Sequence, residues 1–215
     1  MPGSRRARIV LLGNDVQDLR DPDSDEAFRD ERARERVFTR EERECMENSA
    51  DPRRALWSVW ALKEAAYKAL TARYEGIIFS WREFRVNESL NRVQSGPHEL
   101  YGEVRVSSAD SLHALCLGLA EKGGAVPFSP DENRLLARVD CADSPREATR
   151  ESLLVRELTL RTAREYLGAD ATRLSLADRT LRLDGRALGW PLSISHHGRC
   201  LACAFYDSSG ESRTQ

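Results

Sequence analysis

Two acidic residues and two lysines have the spacing of a metal-assisted phosphate site. Glu64 and Lys68 are four positions apart, so on a helix their carboxylate and ammonium groups project from one face, with Lys63 beside them. Upstream, the apolar run Ile9–Leu12 leads to Asp15, which we expect at the end of a strand. Magnesium bound with substrate phosphates commonly takes one or two carboxylates. This pattern predicts a hard cation between Asp15 and Glu64, although a surface helix can carry a Glu–Lys pair for solubility alone.

A second polar cluster lies near the carboxyl end, at residues 193–199 (SISHHGR). Strand alternation places Ser193, Ser195 and His197 on one side and Ile194 and His196 on the other. Such a cluster is able to bind a phosphate or a ribose. The local sequence also allows a structural interpretation, in which Ser195 and His196 satisfy backbone groups near a strand end.

The elements that would position these residues follow from hydrophobic periodicity and turn signals. A capping box at Thr39 and Glu42 begins one helix, and Gly168 ends another. The predicted helices cover 57–73 and 152–167, and the predicted strands cover 9–12, 77–79, 84–86, 101–106, 112–117, 174–176, 181–183, 192–196 and 201–206. Segment 121–131 contains two glycines and two prolines and marks a linker. The order of elements predicts an α+β fold in two units.

Composition excludes several classes of protein. The 215-residue chain has a net charge of -2 from 33 basic and 35 acidic residues, so we expect no nucleic-acid partner. No apolar window reaches the roughly 18 residues of a membrane helix, and the basic start is followed by too short an apolar run for a signal peptide. We therefore expect a cytoplasmic protein without a membrane partner. Cys200 and Cys203 lack a second cysteine pair, so we expect reduced thiols and no zinc site.

The motifs together resemble the 4′-phosphopantetheinyl transferase superfamily of the holo-acyl-carrier-protein synthase type. Residues 13–15 (GND), then Phe38-Thr39-x-x-Glu42, then residues 60–68 (WALKEAAYK) occur in the family's order. The second unit, with 153–156 (LLVR) and the Ser-His motif at 195–199, is similar to the amino-terminal half of two-lobed members. The two lobes therefore stand in permuted order here. Single-lobed members carry the same motif order but build their sites between subunits, and both interpretations imply the same chemistry.

The resemblance implies a fold of two similar α+β lobes that form a pseudo-dimer, and we expect it to be monomeric. The expected boundaries are 1–125 for the metal and phosphate lobe, 126–133 for the linker, 134–207 for the nucleotide-binding lobe and 208–215 for a disordered tail. It also implies transfer of the 4′-phosphopantetheine arm of coenzyme A to a serine of an apo acyl or peptidyl carrier protein, with Mg²⁺ as cofactor and release of adenosine 3′,5′-bisphosphate.

Site residues carry over by position. Asp15 and Glu64 match the metal ligands, and Glu64 is also a candidate base for the incoming serine. Lys63 and Lys68 match phosphate-binding lysines, and the catalytic set is Glu64, Lys68 and Asp15. Ser195 and His196 match residues that bind the nucleotide, His196 through its 3′-phosphate. Four positions depart from the family's pattern. Gln17 replaces an acidic third ligand, and Asn14 replaces an apolar residue. His197 replaces a small residue and has no role assigned, and Arg186 corresponds to the family's lysine only by analogy.

Two other functions remain open on the residues alone. One is a coenzyme A-binding or regulatory homologue without transfer activity, and the other is a Mg²⁺-dependent phosphohydrolase. Elsewhere we expect Trp57, Trp60 and His113 in the core and His98 in solvent. The charged run 29–43 is expected to be a solvated helix whose arginines contact an acidic carrier protein.

Overall fold

The computed structural model describes residues 9–144, 148–168 and 173–209. Over these ranges the chain forms a mixed α+β fold with three sheets. Of the predicted tail, residues 210–215 lie outside the described part, as does the basic start at 1–8. No helix in the described ranges is long and apolar enough to cross a membrane.

The first lobe is a six-stranded antiparallel sheet with helices connecting its first two strands. The sheet order is β1-β5-β4-β3-β2, with β6 added beside β5. The elements are β1 (Val10–Asp18), α1 (Pro22–Arg29), α2 (Glu31–Val37), α3 (Arg40–Glu47), α4 (Pro52–Thr71), β2 (Arg85–Val86), β3 (Arg92–Ser95), β4 (His98–Ser108), β5 (Ser111–Glu121) and β6 (Gly124–Pro127).

Helix α4 packs directly on the strand that carries Asp15. The contact is close because Gly13 faces the helix, and a Cβ atom there would lie 1.9 Å from the Ala65 carbonyl oxygen. Ala65 and Ala69 are fully buried against the sheet. Small residues on both elements therefore bring the backbone of α4 against β1, which places the acidic and basic residues of the two elements side by side.

Helix signals in the first lobe were largely correct. The capping box is present: the Thr39 hydroxyl accepts from the Glu42 N–H, and the Glu42 carboxylate accepts from the Thr39 N–H at 2.9 Å. Helix α4 begins earlier than predicted because Asp51 is its N-cap and Pro52 occupies the first helical position, where proline is favoured. The predicted charged helix over 29–43 is divided between the end of α1, α2 and α3.

The second lobe repeats the strand order of the first on a smaller scale. Its main sheet has the order β11-β12-β7, and a separate three-stranded sheet has the order β10-β9-β8. The elements are β7 (Leu135–Cys141), α5 (Ala148–Leu167), β8 (Leu174–Ala177), β9 (Thr180–Leu183), β10 (Arg186–Ala187), β11 (Leu192–His197) and β12 (Cys200–Tyr206). In each lobe one strand, β5 or β12, pairs with the first strand of the lobe and with the strand that precedes it in the chain, and a 20-residue helix packs on the sheet.

The two lobes pack together through β1, which contacts both β11 and β12. A buried apolar cluster crosses the interface and joins Leu12, Leu115 and Leu117 of the first lobe to Leu135 and Tyr206 of the second. Burial of this apolar area stabilises the lobes as one body. The fold is thus the predicted pair of similar α+β lobes.

Several local predictions were wrong. Strand β1 runs through to Asp18, so Asp15 lies inside a strand, where it pairs with Ala114, and not at its end. Residues 77–79 form no strand, because the chain there is an irregular connection after α4. The first two residues of the predicted linker, 126 and 127, belong to β6. Strand β7 had no predicted counterpart.

The cysteines also differ from expectation. Cys141 and Cys200 form a disulfide between directly paired residues of β7 and β12, where we expected reduced thiols. The sequence alone did not reveal this pairing because β7 was not recognised. Cys45, Cys116 and Cys203 are free.

Candidate active site

Asp15 and Lys68 form the centre of the candidate site. The Lys68 ammonium donates to Asp15 Oδ1 at 2.7 Å, between the middle of β1 and the last turns of α4. The Asp15 side chain is 8% exposed and that of Lys68 is 29% exposed. An ammonium group with partial access to solvent beside a buried carboxylate is able to meet an incoming anion.

Glu64 lies one helical turn before Lys68 and faces the same carboxylate. Burial raises the pKa of Glu64, and the nearby charge of Asp15 raises it further, while Lys68 acts in the opposite direction. The two carboxylates are therefore close enough to repel each other. The structure thus brings together all three residues of the predicted catalytic set.

Gln17 adds an oxygen atom to this group. Its Nε2 donates to Asp15 Oδ2 at 2.6 Å, while its Oε1 is buried and has no hydrogen-bond partner among the described residues. Two mutually repelling carboxylates beside an unpaired amide oxygen are a donor set that suits a hard divalent cation such as Mg²⁺. The residues present therefore fit the metal that the sequence predicts, although no cluster of three acidic, histidine or cysteine side chains occurs in the described ranges.

The second lobe reaches this site through Asn14, the neighbour of Asp15. The Asn14 N–H donates to Ser193 Oγ at 2.9 Å, and its side-chain amide donates to Ser195 Oγ at 3.2 Å. The same amide group lies 2.9 Å from Nε2 of His113. Burial lowers the pKa of His113 to about 3, and nearby Arg105 and Lys68 contribute, so the ring is neutral and its Nε2 accepts this bond.

Strand alternation separates Ser195 from His196, as predicted. Ser195 is buried against β1, whereas His196 lies on the opposite face of β11, where its Nδ1 is 2.8 Å from Glu151 Oε2 on α5. The structure therefore places Ser195 beside the Asp15 group and His196 under the first turn of α5.

A family model for the 4′-phosphopantetheinyl transferase superfamily matches residues 11–118, half of the chain. This chain belongs to the 4′-phosphopantetheinyl transferase superfamily. The match runs from β1 through most of β5 and so contains Asp15, Glu64 and Lys68. The crystal structure of holo-[acyl-carrier-protein] synthase (AcpS) from Thermotoga maritima is similar over 63% of this chain and 71% of that one, with 18% identity and a TM-score of 0.35. No curated protein matches the sequence.

The phosphopantetheinyl transferase motif places Lys63 beside Glu64, but the structure does not bring Lys63 to the cleft. Its ammonium is fully buried and donates to Glu42 Oε2 at 2.7 Å, to the Trp81 carbonyl at 2.9 Å and to the Val37 carbonyl at 3.1 Å. Burial lowers the pKa of Lys63, and the ion pair with Glu42 partly offsets this effect. Adjacent helical residues project in different directions, and three acceptors already occupy the ammonium, so this geometry disfavours the expected phosphate contact.

Arg186, the analogue of the family's lysine, is exposed on β10 in the smaller sheet of the second lobe. It forms no hydrogen bond or ion pair with Asp15 or Ser195. Its role at the nucleotide stays a prediction.

Sequence reasoning missed three contacts around the candidate site. Asn14 bridges the two lobes, Asp18 forms a buried ion pair with Arg199 at 2.7 Å and accepts its backbone N–H, and the Asp18 N–H donates to His197 Nδ1 at 3.0 Å. The four polar residues among positions 14–18, directly after the apolar run 9–12, were an available signal. His98 was wrongly expected in solvent, since it is 8% exposed and its Nδ1 accepts the Ala125 N–H. Trp57 and His113 are buried as predicted, and Trp60 is partly buried.

Proposed function

We propose that this protein transfers the 4′-phosphopantetheine arm of coenzyme A to a serine of an apo carrier protein in a Mg²⁺-dependent reaction. The observation that supports it is the convergence of Asp15, Glu64 and Lys68 between β1 and α4. Ser195 of the second lobe contacts Asn14, the chain neighbour of Asp15. The cytoplasmic location expected from the sequence, and a monomeric state, are part of this proposal.

Asp15 and Glu64 would hold the metal, and Gln17 would offer its amide oxygen. When bound, Mg²⁺ supplies a positive charge that neutralises the diphosphate and the leaving oxygen. Lys68 would bind a diphosphate oxygen, and this role is supported by its partly accessible ammonium, which lies beside Asp15.

The chemical step joins the serine oxygen of the carrier to the β-phosphorus of coenzyme A and breaks the bond to the adenosine bisphosphate. The serine proton must be accepted by a base. Glu64 is suited to this because burial and the charge of Asp15 raise its pKa towards the operating pH, which makes a carboxylate a better proton acceptor. The proton moves to Glu64, and adenosine 3′,5′-bisphosphate leaves with the electron pair.

The second lobe would hold the nucleotide through Ser195 and His196, the latter at the 3′-phosphate. Carrier recognition is assigned to exposed arginines around α2, which include Arg29, Arg32 and Arg36. Acidic carrier proteins would be attracted there by complementary charge. Exchange of these three residues for Glu should weaken carrier affinity and reduce its salt dependence. An unchanged affinity would remove the surface from the proposal.

The test is incubation with coenzyme A, Mg²⁺ and apo carrier proteins of the fatty-acid, polyketide and peptide-synthetase classes, with mass detection of the added arm. Glu64→Gln should abolish transfer and preserve the fold, while Glu75→Gln, at an exposed carboxylate beyond α4, should leave the rate unchanged. Full activity of Glu64→Gln would reject the assigned site. Absence of product with every carrier would favour a coenzyme-binding protein, and release of phosphopantetheine without a carrier would favour a hydrolase.

A further inference from the structure

Glu151 is the residue that holds His196. The carboxylate lies in the first turn of α5, and its Oε2 is 2.8 Å from His196 Nδ1. The Glu151 side chain is 15% exposed and that of His196 is 42% exposed, so the carboxylate covers the inner edge of a ring whose remainder faces solvent. The position at a helix N-terminus stabilises the negative charge of Glu151.

This contact determines which ring nitrogen is available. An ionised carboxylate only accepts hydrogen bonds, so Nδ1 must carry a proton. The other nitrogen, Nε2, has no hydrogen-bond partner among the described residues. Nε2 is therefore the ring nitrogen that remains available to a ligand.

Packing around the pair fixes its geometry. Ile194 lies two positions before His196 on β11, and Leu154 lies three positions after Glu151 on α5. Both belong to one apolar cluster with the buried residues Val155, Leu158 and Leu201. Because this cluster holds the helix against the strand, the Glu151–His196 contact is a consequence of the fold and not of two free surface side chains meeting.

We propose that Glu151 is a positioning residue that directs His196 Nε2 to a terminal phosphate monoester of the nucleotide, and so makes the site select coenzyme A over 3′-dephospho-coenzyme A. This inference rests on the proposed function for the identity of the ligand. A carboxylate that simply repelled the phosphate would have the opposite effect, because its removal would then tighten binding of coenzyme A.

The experiment measures equilibrium dissociation constants for coenzyme A and 3′-dephospho-coenzyme A by titration calorimetry, without a carrier protein. Glu151→Ala should weaken coenzyme A about tenfold, as expected for the loss of a hydrogen bond that involves charged groups, and leave the dephospho compound unchanged. Glu151→Gln keeps an oxygen that accepts from Nδ1–H and should retain most of the selectivity. Glu157→Gln, an exposed position on the same helix, is the matched control and should change neither constant.

His196→Ala completes a double-mutant cycle. Since Glu151 is proposed to act through His196, the double variant should bind coenzyme A as weakly as His196→Ala alone. An equal loss for both ligands, additive losses in the cycle, tighter binding of coenzyme A by Glu151→Ala, or a wild type that does not distinguish the two ligands would each overturn the proposal. Selective binding as expected, with no carrier modified in the separate transfer assay, would sustain this inference and reject the transfer reaction.

Discussion

Replacement of Lys63 by Met tests whether this residue belongs to the fold or to the site. Its ammonium is completely buried and has three acceptors, among them a carboxylate of Glu42 that is itself 3% exposed. The Met side chain is unbranched and only one atom shorter, so the variant removes the charge and the hydrogen bonds with little change in volume. The loss should therefore appear in the free energy of unfolding.

The magnitude follows from the partner that is left behind. Glu42 keeps the N–H groups of Thr39 and Val86 but loses its only described cation, and two carbonyl groups lose a donor. Breaking a buried ion pair on one side costs about 3–5 kcal/mol, because an uncompensated charge remains in the interior. The double variant Lys63→Met/Glu42→Gln removes both charges. We expect it to cost less than the sum of the single changes, with a coupling energy of about 2 kcal/mol.

The assay is urea denaturation at equilibrium together with the dissociation constant for coenzyme A. Lys68→Met on the same helix is the matched control and should show the reverse pattern, a small change in stability and weaker coenzyme binding, because its ammonium is partly exposed beside Asp15. Loss of coenzyme binding by folded Lys63→Met, with the free energy of unfolding within about 1 kcal/mol of wild type, would refute the reasoning and restore Lys63 to the phosphate site.

Three further outcomes are expected. Because the folded-state pKa of Glu64 is raised, wild-type protein without Mg²⁺ should lose stability as pH rises through that pKa, so Glu64→Gln should melt higher than wild type at neutral pH and show a flatter profile of melting temperature against pH. Reduction of the Cys141–Cys200 disulfide, which closes a loop with a sequence separation of 59, should lower the free energy of unfolding by about 4 kcal/mol, and a double serine variant should be insensitive to reductant. Burial alone would raise the pKa of Asp18, but the hydrogen bonds from Arg199 hold it below its ordinary value, so this pair should stabilise the protein at neutral pH and cease to do so as pH falls through the folded-state pKa. Asp18→Asn should cost about 3 kcal/mol in denaturation at pH 7 and remove that part of the acid dependence, and an unchanged acid limb would argue against the pair.

The sequence predicted well those features that depend on only a few neighbouring residues. The capping box at Thr39, the stop at Gly168 with its φ of +81° and the alternation along β11 depend on local geometry, and all three were found. The grouping of Asp15 with Glu64 and Lys68 was suggested by residue types and the spacing on one helix, and the resemblance supported it. Its physical basis, the close approach of α4 at Gly13, is a tertiary contact.

The errors concern contacts between distant segments. Lys63 was matched to phosphate-binding lysines by its position in the motif, yet its partners Glu42 and Trp81 are 21 and 18 positions away. No local pattern identifies which acceptors will surround a buried lysine. The disulfide was missed for the same reason, since its two cysteines meet only when β7 pairs with β12.

The two lobes can be compared residue by residue through their strand registers. In the first lobe the turn between β4 and β5 is followed by Ser111, the first residue of β5, which pairs with Asp18 of β1. In the second lobe the turn between β11 and β12 is followed by Cys200, the first residue of β12, which pairs with Cys141 of β7. Asp18 and Cys141 are therefore equivalent positions, because each pairs with the first strand residue after the hairpin turn of its lobe.

Counting back three residues along each strand gives Asp15 in the first lobe and Arg138 in the second. Each forms an ion pair with the helix that packs on its own sheet: Asp15 with Lys68 of α4, and Arg138 with Glu165 of α5. The signs of the two pairs are opposite, and the second pair is half exposed where Asp15 is buried. A guanidinium at the position that corresponds to the proposed metal ligand Asp15 would repel a divalent cation, so the second lobe repeats the framework of the candidate site without its acidic residue. Under the proposed function, the second lobe would therefore contribute through the face that meets β1 and through the Glu151–His196 edge, with the metal held by the first lobe and the nucleotide by the second.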